Sequence, residues 1–299
     1  MSSRLLRRLL VSQIVTGILL GWFIARQTHA SLWLVVLFAL LMPSVLTAMM
    51  TLILAIKSRT PGAHALWLRS LGGECVAAIR MMTFKMPWSF SPPVVKRPTA
   101  SPSSSPAPLP VVLVHGYLCN HRIWDAMSDS LLRAGHPVLG VDLEPLFTSI
   151  DDYAPLIEQA VTELCRQTGA SQVALVGHSM GGLAIRAWLR AYGSNRVDRI
   201  ITLGTPHVGT RVDLHPKTAN GQQMLWHSTW LQELTASETA ATRSLMRLAL
   251  SPQDSIVYPQ REQVLEGVPV TVFDGLGHLE LCLDPAVIAW TVQELELKR

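Results

Sequence analysis

The chain has 299 residues, of which 49% are hydrophobic and only 15% charged, with a mean hydropathy of +0.29. Such a composition excludes an ordinary soluble protein as a description of the whole chain. The net charge of +4 is divided: residues 1–98 hold eleven Lys and Arg against a single acid, Glu74, whereas residues 99–299 hold fourteen against twenty. The basic part is also the apolar part, which is typical of membrane attachment and argues against nucleic-acid binding.

Two apolar segments near the N-terminus predict a transmembrane helical hairpin within residues 1–60. They cover residues 9–25 and 32–56, and neither contains an Asp, Glu, Lys or Arg. As helices, they approach or exceed the roughly 20 residues that cross the hydrocarbon core of a bilayer. Only six residues separate them, so the two spans are expected to form a tight pair.

The charges that flank the two spans predict their direction. The turn between them holds one fixed positive charge, Arg26, whereas five basic residues flank the outer ends: Arg4, Arg7, Arg8, Lys57 and Arg59. By the positive-inside rule, both ends and the domain that follows are predicted to lie on the cytoplasmic side of a bacterial inner membrane. The alternative is that the first span is a secretory signal peptide, because Thr28-His29-Ala30 loosely fits a cleavage site. The side of the membrane would then stay open.

Three further stretches follow the hairpin. Residues 61–90 have helical character and mix apolar with basic side chains, which fits either a helix at the membrane interface or a helix packed on the spans or the next domain. Residues 91–110 contain seven prolines and five serines, a composition typical of an extended linker. Residues 111–299 alternate between β and α segments and are long enough for one α/β domain.

The strongest chemical signal is the sequence GHSMGG at residues 177–182. It follows an apolar β run and precedes a helical segment, and a strand, a sharp turn and a helix are what a nucleophile elbow requires. Gly177 and Gly181 allow the tight turn and leave the hydroxyl group of Ser179 exposed. This context predicts that Ser179 is a nucleophile. Its neighbour His178 is expected to have a packing or hydrogen-bonding role.

A serine hydroxyl needs a general base, and the base needs an acid that orients it. On a fold with this elbow, the chain order is serine, acid, histidine. His278 is predicted as the base because it lies in the loop after a late β segment, 268–273. Asp254 is predicted as the acid because it follows the preceding short apolar run. The acids left as alternatives are Asp274, Asp284 and Glu280, whereas Asp213 comes too early in the chain.

The tetrahedral intermediate of acyl transfer also needs two preorganised N–H donors for its oxyanion. The backbone amide of Met180, the residue after the nucleophile, is predicted as one donor. The backbone amide of Tyr117 is predicted as the other, because Tyr117 follows His115-Gly116 in the loop after the first β run of the domain.

These motifs together resemble those of bacterial lipases and esterases of the α/β-hydrolase superfamily. Five pieces follow the family's chain order between residues 111 and 299: VVLVHGYLCN, VALVGHSMGG, ITLGTPHVGT, SPQDSIVYP and GLGHLELCLDP. The resemblance implies an α/β-hydrolase fold, with a mainly parallel sheet flanked by helices, and ester hydrolysis through an acyl-enzyme without an organic cofactor. Some relatives use structural calcium, but no ligand set can be matched here, so no metal is predicted. The hairpin is a departure from the family's secreted lipases.

Two questions of function stay open in the sequence. The segment 208–249 has apolar residues at helical spacing, which fits either a lid or acyl-chain pocket or core packing. The predicted activity is hydrolysis of hydrophobic or lipid esters at a membrane. Acyl transfer to an alcohol on the same triad is the enzymatic alternative, and a non-catalytic membrane scaffold is the other. The expected partners are the ester or lipid substrate and membrane lipid, without nucleic acid.

Overall fold

Two long helices form an antiparallel hairpin at the N-terminus. The computed structural model describes residues 2–59, 62–99, 108–212 and 217–297. Helix α1 spans Ser2–Thr28 and helix α2 spans Trp33–Lys57, and both are long and apolar enough to cross a membrane. Helix α1 begins before the predicted span, because the helix continues through basic residues that a count of apolar residues leaves out.

The hairpin presents apolar side chains to its surroundings. Leu19 is 62% exposed, Trp33 78% and Leu40 72%, although the core helix of a soluble protein would bury such residues. This pattern favours a lipid-facing surface. The two helices approach each other closely, since a Cβ atom added at Gly21 would lie 2.8 Å from the Cα atom of Val35. Small residues at helix contacts are typical of membrane pairs.

A third helix, α3 (His64–Ile79), joins the hairpin to the C-terminal domain. The indole N–H of Trp67 donates a hydrogen bond to a carbonyl oxygen of α2 at 3.0 Å. On the next turn of the helix, the hydroxyl of Ser70 donates to the carbonyl oxygen of Gln253, also at 3.0 Å. These contacts of α3 with the spans and with the domain fit the second interpretation given for residues 61–90, a helix packed on its protein neighbours. Its outward side still carries exposed apolar residues such as Leu68.

Six parallel strands form the sheet of the C-terminal domain. Their order across the sheet is β2-β1-β3-β4-β5-β6. Most are nearly continuous apolar runs, which suits a sheet covered on both faces. The bounds are Val111–Val114 for β1, Val138–Val141 for β2, Val173–His178 for β3, Val197–Leu203 for β4, Met246–Leu250 for β5 and Val270–Val272 for β6.

Helices cover both faces of this sheet. Because side chains alternate along a strand, Val112 and Val114 of β1 face the layer of α5 and α6, and Val111 and Leu113 face the layer of α4 and α10. The helix bounds are Asp125–Arg133 for α4, Ala154–Thr168 for α5, Met180–Tyr192 for α6, Ala219–Gln223 for α7, Thr229–Ala236 for α8, Ala240–Ser244 for α9 and Pro285–Glu296 for α10. A π-helical turn covers Arg80–Lys85, and 3₁₀ turns cover Met86–Trp88, His121–Trp124, Ile150–Tyr153 and Glu280–Cys282.

The stretch that the sequence predicts as a linker is attached to the sheet near its beginning. Lys96 and Val138 exchange two antiparallel backbone hydrogen bonds, of 2.8 and 2.9 Å, at the free edge of β2. Residues 100–107 of the predicted linker lie outside the described residues, as does Asp213.

Candidate active site

Ser179 lies at the turn between β3 and α6, at the carboxyl edge of the sheet. Its backbone has φ 55° and ψ −128°, a conformation that residues with a side chain rarely adopt. Gly181, in the first turn of α6, approaches the loop after β1 so closely that an added Cβ atom would lie 2.6 Å from the carbonyl oxygen of His115. A strained serine held by close backbone packing is the geometry expected of a nucleophile elbow.

Asp254 and His278 form a buried hydrogen-bonded pair. Their side chains come from the loops after β5 and β6, and the Asp254 Oδ2 to His278 Nδ1 distance is 2.7 Å. The second carboxylate oxygen of Asp254 accepts from the backbone amides of Ile256 and Val257, both at 2.8 Å. Asp254 is 2% exposed and His278 5%. The carboxylate is therefore fixed by its own loop and fixes the imidazole in turn, as a triad acid must.

The pKa of His278 reflects two opposed effects. Burial lowers the pKa of the imidazole, because burial disfavours the charged form. The charge of Asp254, its hydrogen bond and the charge of Glu74 favour the imidazolium, and together they raise the pKa of His278 above its usual 6.5. A histidine in this environment can accept a proton on Nε2, because the fixed carboxylate beside Nδ1 stabilises the imidazolium that forms.

The turn of Ser179 and the Asp254–His278 pair meet around the end of β4. The amide of Ser179 donates a hydrogen bond to the carbonyl oxygen of Leu203 at 2.9 Å. A Cβ atom added at the next residue, Gly204, would lie 3.2 Å from Asp254 Oδ2 and 3.4 Å from His278 Nδ1. The structure thus brings three residues that are far apart in sequence to one place.

His178 supports the histidine loop from the end of β3. Its Nε2 donates a hydrogen bond to the carbonyl oxygen of His278 at 3.0 Å, and the two rings lie with centroids 4.5 Å apart. Burial lowers the pKa of His178 well below its usual value, with the nearby His278 acting in the same direction. A neutral His178 is consistent with the packing and hydrogen-bonding role expected from the sequence.

The predicted oxyanion donors lie on the two backbone segments that flank Ser179. Met180 begins α6, where amide groups point out of the helix end, and it is 2% exposed. Tyr117 follows Gly116, at which an added Cβ atom would lie 2.7 Å from the Cβ atom of Ser179. The loop after β1 is therefore in contact with the serine, as an oxyanion loop has to be.

Comparison with known proteins identifies this fold. A sequence profile described as the alpha/beta hydrolase fold matches residues 110–245. The solved structure of a mature lipase from Bacillus licheniformis aligns with a TM-score of 0.59 at 16% identity, over 70% of this chain and 100% of that one. An Aspergillus fumigatus lipase aligns with a TM-score of 0.56 at 18% identity, over 68% of this chain and 56% of that one. The C-terminal domain therefore has the α/β-hydrolase fold.

Curated relatives share shorter stretches with this chain. Triacylglycerol lipases from Pseudarthrobacter phenanthrenivorans and Burkholderia plantarii are each 34% identical over 110 residues, which cover 34% of this chain and 34% and 30% of theirs. A lysosomal thioesterase from Xenopus laevis is 30% identical over 108 residues, 33% of this chain and 36% of that protein. The chain thus matches about a third of the length of these relatives.

Two of the acids left as alternatives to Asp254 have side chains with other partners. Asp284 caps α10 by accepting from the amide of Ala286 at 2.8 Å, and Glu280 accepts from the amide of Gly277 at 2.7 Å. The backbone carbonyl of Asp274 accepts from Arg69 at 3.3 Å. Within the described residues, no group of three or more His, Cys, Asp or Glu is arranged to hold a metal ion.

The described residues of the segment 208–249 contribute to the core of the C-terminal domain. Leu231 and Leu234 of α8 are buried, at 2% and 0% exposure. Arg186 of α6 is also buried and forms an ion pair of 2.5 Å with Glu238, just after α8. The contacts of α8 are therefore those of the core-packing interpretation, and a buried ion pair connects the segment to the helix that follows the elbow.

One carboxylate that the sequence analysis did not assign lies against the histidine loop. Glu74 of α3 is 4% exposed and accepts a hydrogen bond of 2.8 Å from the amide of Leu279, the residue after His278. Its signal in the sequence is that it is the single acid among residues 1–98. The partner is more than 200 residues away, so periodicity and motif spacing could not reveal the contact.

Proposed function

We propose that this α/β hydrolase is a membrane-anchored serine hydrolase that cleaves carboxylic esters of hydrophobic or lipid molecules. Ser179 is the nucleophile, His278 the general base and Asp254 the acid that orients it. The observation that carries the proposal is the buried 2.7 Å hydrogen bond between Asp254 and His278 beside the strained turn of Ser179. The names of the lipases that match the chain support the same reaction class.

The proposed reaction has two halves. In the first, the hydroxyl oxygen of Ser179 attacks the ester carbonyl carbon while Nε2 of His278 takes the hydroxyl proton. The backbone amides of Met180 and Tyr117 donate to the oxyanion, and its collapse expels the alcohol, which takes the proton from His278. In the second half, water attacks the acyl carbon while His278 takes a proton from the water; collapse of the second tetrahedral intermediate breaks the bond to Ser179, whose oxygen takes the proton back from His278, and the carboxylic acid leaves. Asp254 stays ionised throughout and stabilises the imidazolium.

Contacts at the outer ends of the hairpin support a substrate that comes from the membrane. The amide of Ser2 donates to a carboxylate oxygen of Glu144 after β2 at 2.8 Å. Near the acid loop, Gln260 donates to the carbonyl oxygen of Ser58, just after α2, at 3.1 Å. Both contacts lie on loops at the carboxyl edge of the sheet, where Ser179 also lies. This edge is then turned towards the bilayer, so a hydrophobic ester reaches the serine without crossing much water.

Packing of the first helix against the C-terminal domain helps to decide whether that helix is retained and on which side of the membrane the domain lies. Leu6 of α1 is 6% exposed and belongs to a buried cluster with Met81 and residues of the sheet. A cleaved signal peptide would remove this packing, so we favour a retained hairpin. The basic residues that flank the spans are at the same end as the hydrolase domain, which the positive-inside rule assigns to the cytoplasm.

Turnover by the full-length protein in detergent micelles or nanodiscs tests this function. The substrates are p-nitrophenyl esters from C4 to C16 and a phospholipid. We expect hydrolysis by the wild type and a loss of about 10⁴- to 10⁶-fold in kcat for Ser179→Ala, since triad members act as a unit. Ser244→Ala, which alters an exposed serine at the end of α9, is the matched control and should retain wild-type kcat. Ser179→Ala with wild-type turnover would overturn the proposal, and ester formation with added alcohol would indicate acyl transfer.

A further inference from the structure

The contact between Glu74 and the histidine loop is built from several hydrogen bonds. Both carboxylate oxygens of Glu74 accept from the amide of Leu279, at 2.8 and 3.1 Å, and one of them also faces the amide of Glu280 at 3.3 Å. These amides belong to the two residues that directly follow His278. The main chain that carries the imidazole is therefore held from outside the C-terminal domain, by a side chain of α3.

The packing around this contact leaves little freedom. A Cβ atom added at Gly277 would lie 2.5 Å from the Cβ atom of Glu74 and 2.9 Å from its Cδ atom. A Cβ atom added at Gly73 would lie 2.6 Å from a carboxylate oxygen of Glu280. Helix α3 and the histidine loop thus touch along glycine backbone on both sides. Such a fit fixes the position of the loop and not only its hydrogen bonds.

The carboxylate of Glu74 is stabilised by backbone amides and by His278, not by a direct ion pair among the described residues. Among the described residues, no lysine, arginine or histidine nitrogen lies within 4.0 Å of its carboxylate. Burial raises the pKa of Glu74 to about 7, while the charge of His278 and the amides of Leu279 and Glu280 lower it and Asp254 raises it further. An imidazolium at His278 therefore stabilises an ionised Glu74, and an ionised Glu74 stabilises the imidazolium of His278.

We propose that Glu74 is a positioning residue for the histidine of the triad, supplied by the helix that follows the membrane hairpin. Its carboxylate holds the main chain after His278 and stabilises the imidazolium that forms when Ser179 loses its proton. This inference rests on the proposed function. Helix α3 then contributes to the active site, because a displacement of α3 would move the histidine loop.

Other titratable groups surround this pair and enter any pH dependence. Asp254 from the acid loop acts on both groups of the pair, and Arg69 of α3 and Asp284 before α10 act on the neighbouring Glu280. The charge of Glu74 or His278 acts in turn on four further groups: Cys75 of α3, Cys119 after β1, His178 of β3 and Cys282 of the histidine loop. Burial raises the pKa of the Cys119 thiol to about 12 and that of the Cys282 thiol well above its usual value, so both stay neutral near pH 7. An assay across neutral pH therefore reports mainly on His278 and Glu74.

Glu74→Gln tests the inference in the full-length protein. The substitution nearly preserves the shape of the side chain, but it removes the charge and turns one oxygen that faces an amide into an NH₂ group. We expect kcat for p-nitrophenyl butyrate to fall about 10- to 100-fold, since small displacements of a catalytic group have effects of this size. We also expect the acid limb of kcat/KM to move to lower pH, because loss of a neighbouring negative charge lowers the pKa of His278.

The shift of the acid limb distinguishes a positioning role of Glu74 towards His278 from a general loosening of the histidine loop. Loosening of the loop would lower kcat without moving the acid limb. Glu163→Gln, which removes an exposed carboxylate on α5, is the control and should match the wild type. An active wild type and an inactive Ser179→Ala, together with a Glu74→Gln variant whose kcat and acid limb equal those of the wild type, would overturn this inference alone. An inactive wild type would instead overturn the proposed function. If Glu74→Gln fails to fold, Glu74→Asp decides, since its shorter side chain must lower kcat and a wild-type kcat contradicts the inference.

Discussion

Replacing Asp254 by Asn changes the triad at one atom pair. The side-chain oxygen of Asn can still accept from the amides of Ile256 and Val257, now 2.8 Å from Oδ1, so the acid loop keeps its hydrogen bonds. The NH₂ group then faces Nδ1 of His278, where Oδ2 now accepts at 2.7 Å. An NH₂ group donates, so Nδ1 must accept and the proton moves to Nε2. The imidazole can then no longer take the proton of Ser179.

The size of the effect follows from this change of tautomer. The same substitution in a serine-protease triad lowers kcat about 10⁴-fold, which corresponds to about 5 kcal/mol of activation free energy. We expect a loss of this order for Asp254→Asn in p-nitrophenyl butyrate hydrolysis at pH 7.5, with an unchanged melting temperature. Asp284→Asn, which keeps an N-cap oxygen for α10, is the matched control and should stay within about twofold of the wild type. A loss below about tenfold for Asp254→Asn would refute the assignment of the acid.

Three further predictions concern the elbow, the pH profile and the hairpin. Gly181→Ala should destabilise the protein by about 1–3 kcal/mol and abolish turnover, because its Cβ atom meets backbone carbonyls; Gly72→Ala, whose Cβ atom meets nothing within 4 Å, should change neither melting temperature nor kcat. In the wild type, kcat/KM should decline as the pH falls through a value above 6.5, because the pKa of His278 is raised and its protonated form cannot act as a base; a midpoint below 6.5 would contradict this. Gly21→Leu should lower the melting temperature in detergent by forcing the two spans apart, whereas Leu19→Ala, on the exposed side, should leave it unchanged.

Much of the candidate site could be proposed from the sequence because its parts follow local rules. The elbow is a strand, a glycine turn and a helix in one continuous stretch, so Ser179 and Met180 are recognisable without knowledge of the rest. His278 and Asp254 follow from chain order and from their places after late strands. The hydrogen bond between them, however, depends on how β5 and β6 pair, which only the fold determines.

The contribution of α3 could not be predicted in the same way. Its apolar and basic side chains suit a membrane interface as well as a protein interface, and the sequence contains no signal for which neighbour it meets. Glu74 appears there only as a lone acid in a basic half of the chain. Its role depends on a contact with Leu279, and contacts across such a distance follow from tertiary packing rather than from periodicity. The outer end of α1 was missed because basic residues continue the helix beyond the apolar run.

Covalent labelling shows whether Ser179 is an activated nucleophile, on which the proposed triad depends. Full-length protein in its membrane is treated with a fluorophosphonate probe, digested and mapped by mass spectrometry. We expect one phosphonylated residue, Ser179, with labelling abolished in Ser179→Ala and strongly slowed in Asp254→Asn. An unlabelled wild type, or labelling that persists unchanged in Ser179→Ala, would contradict it.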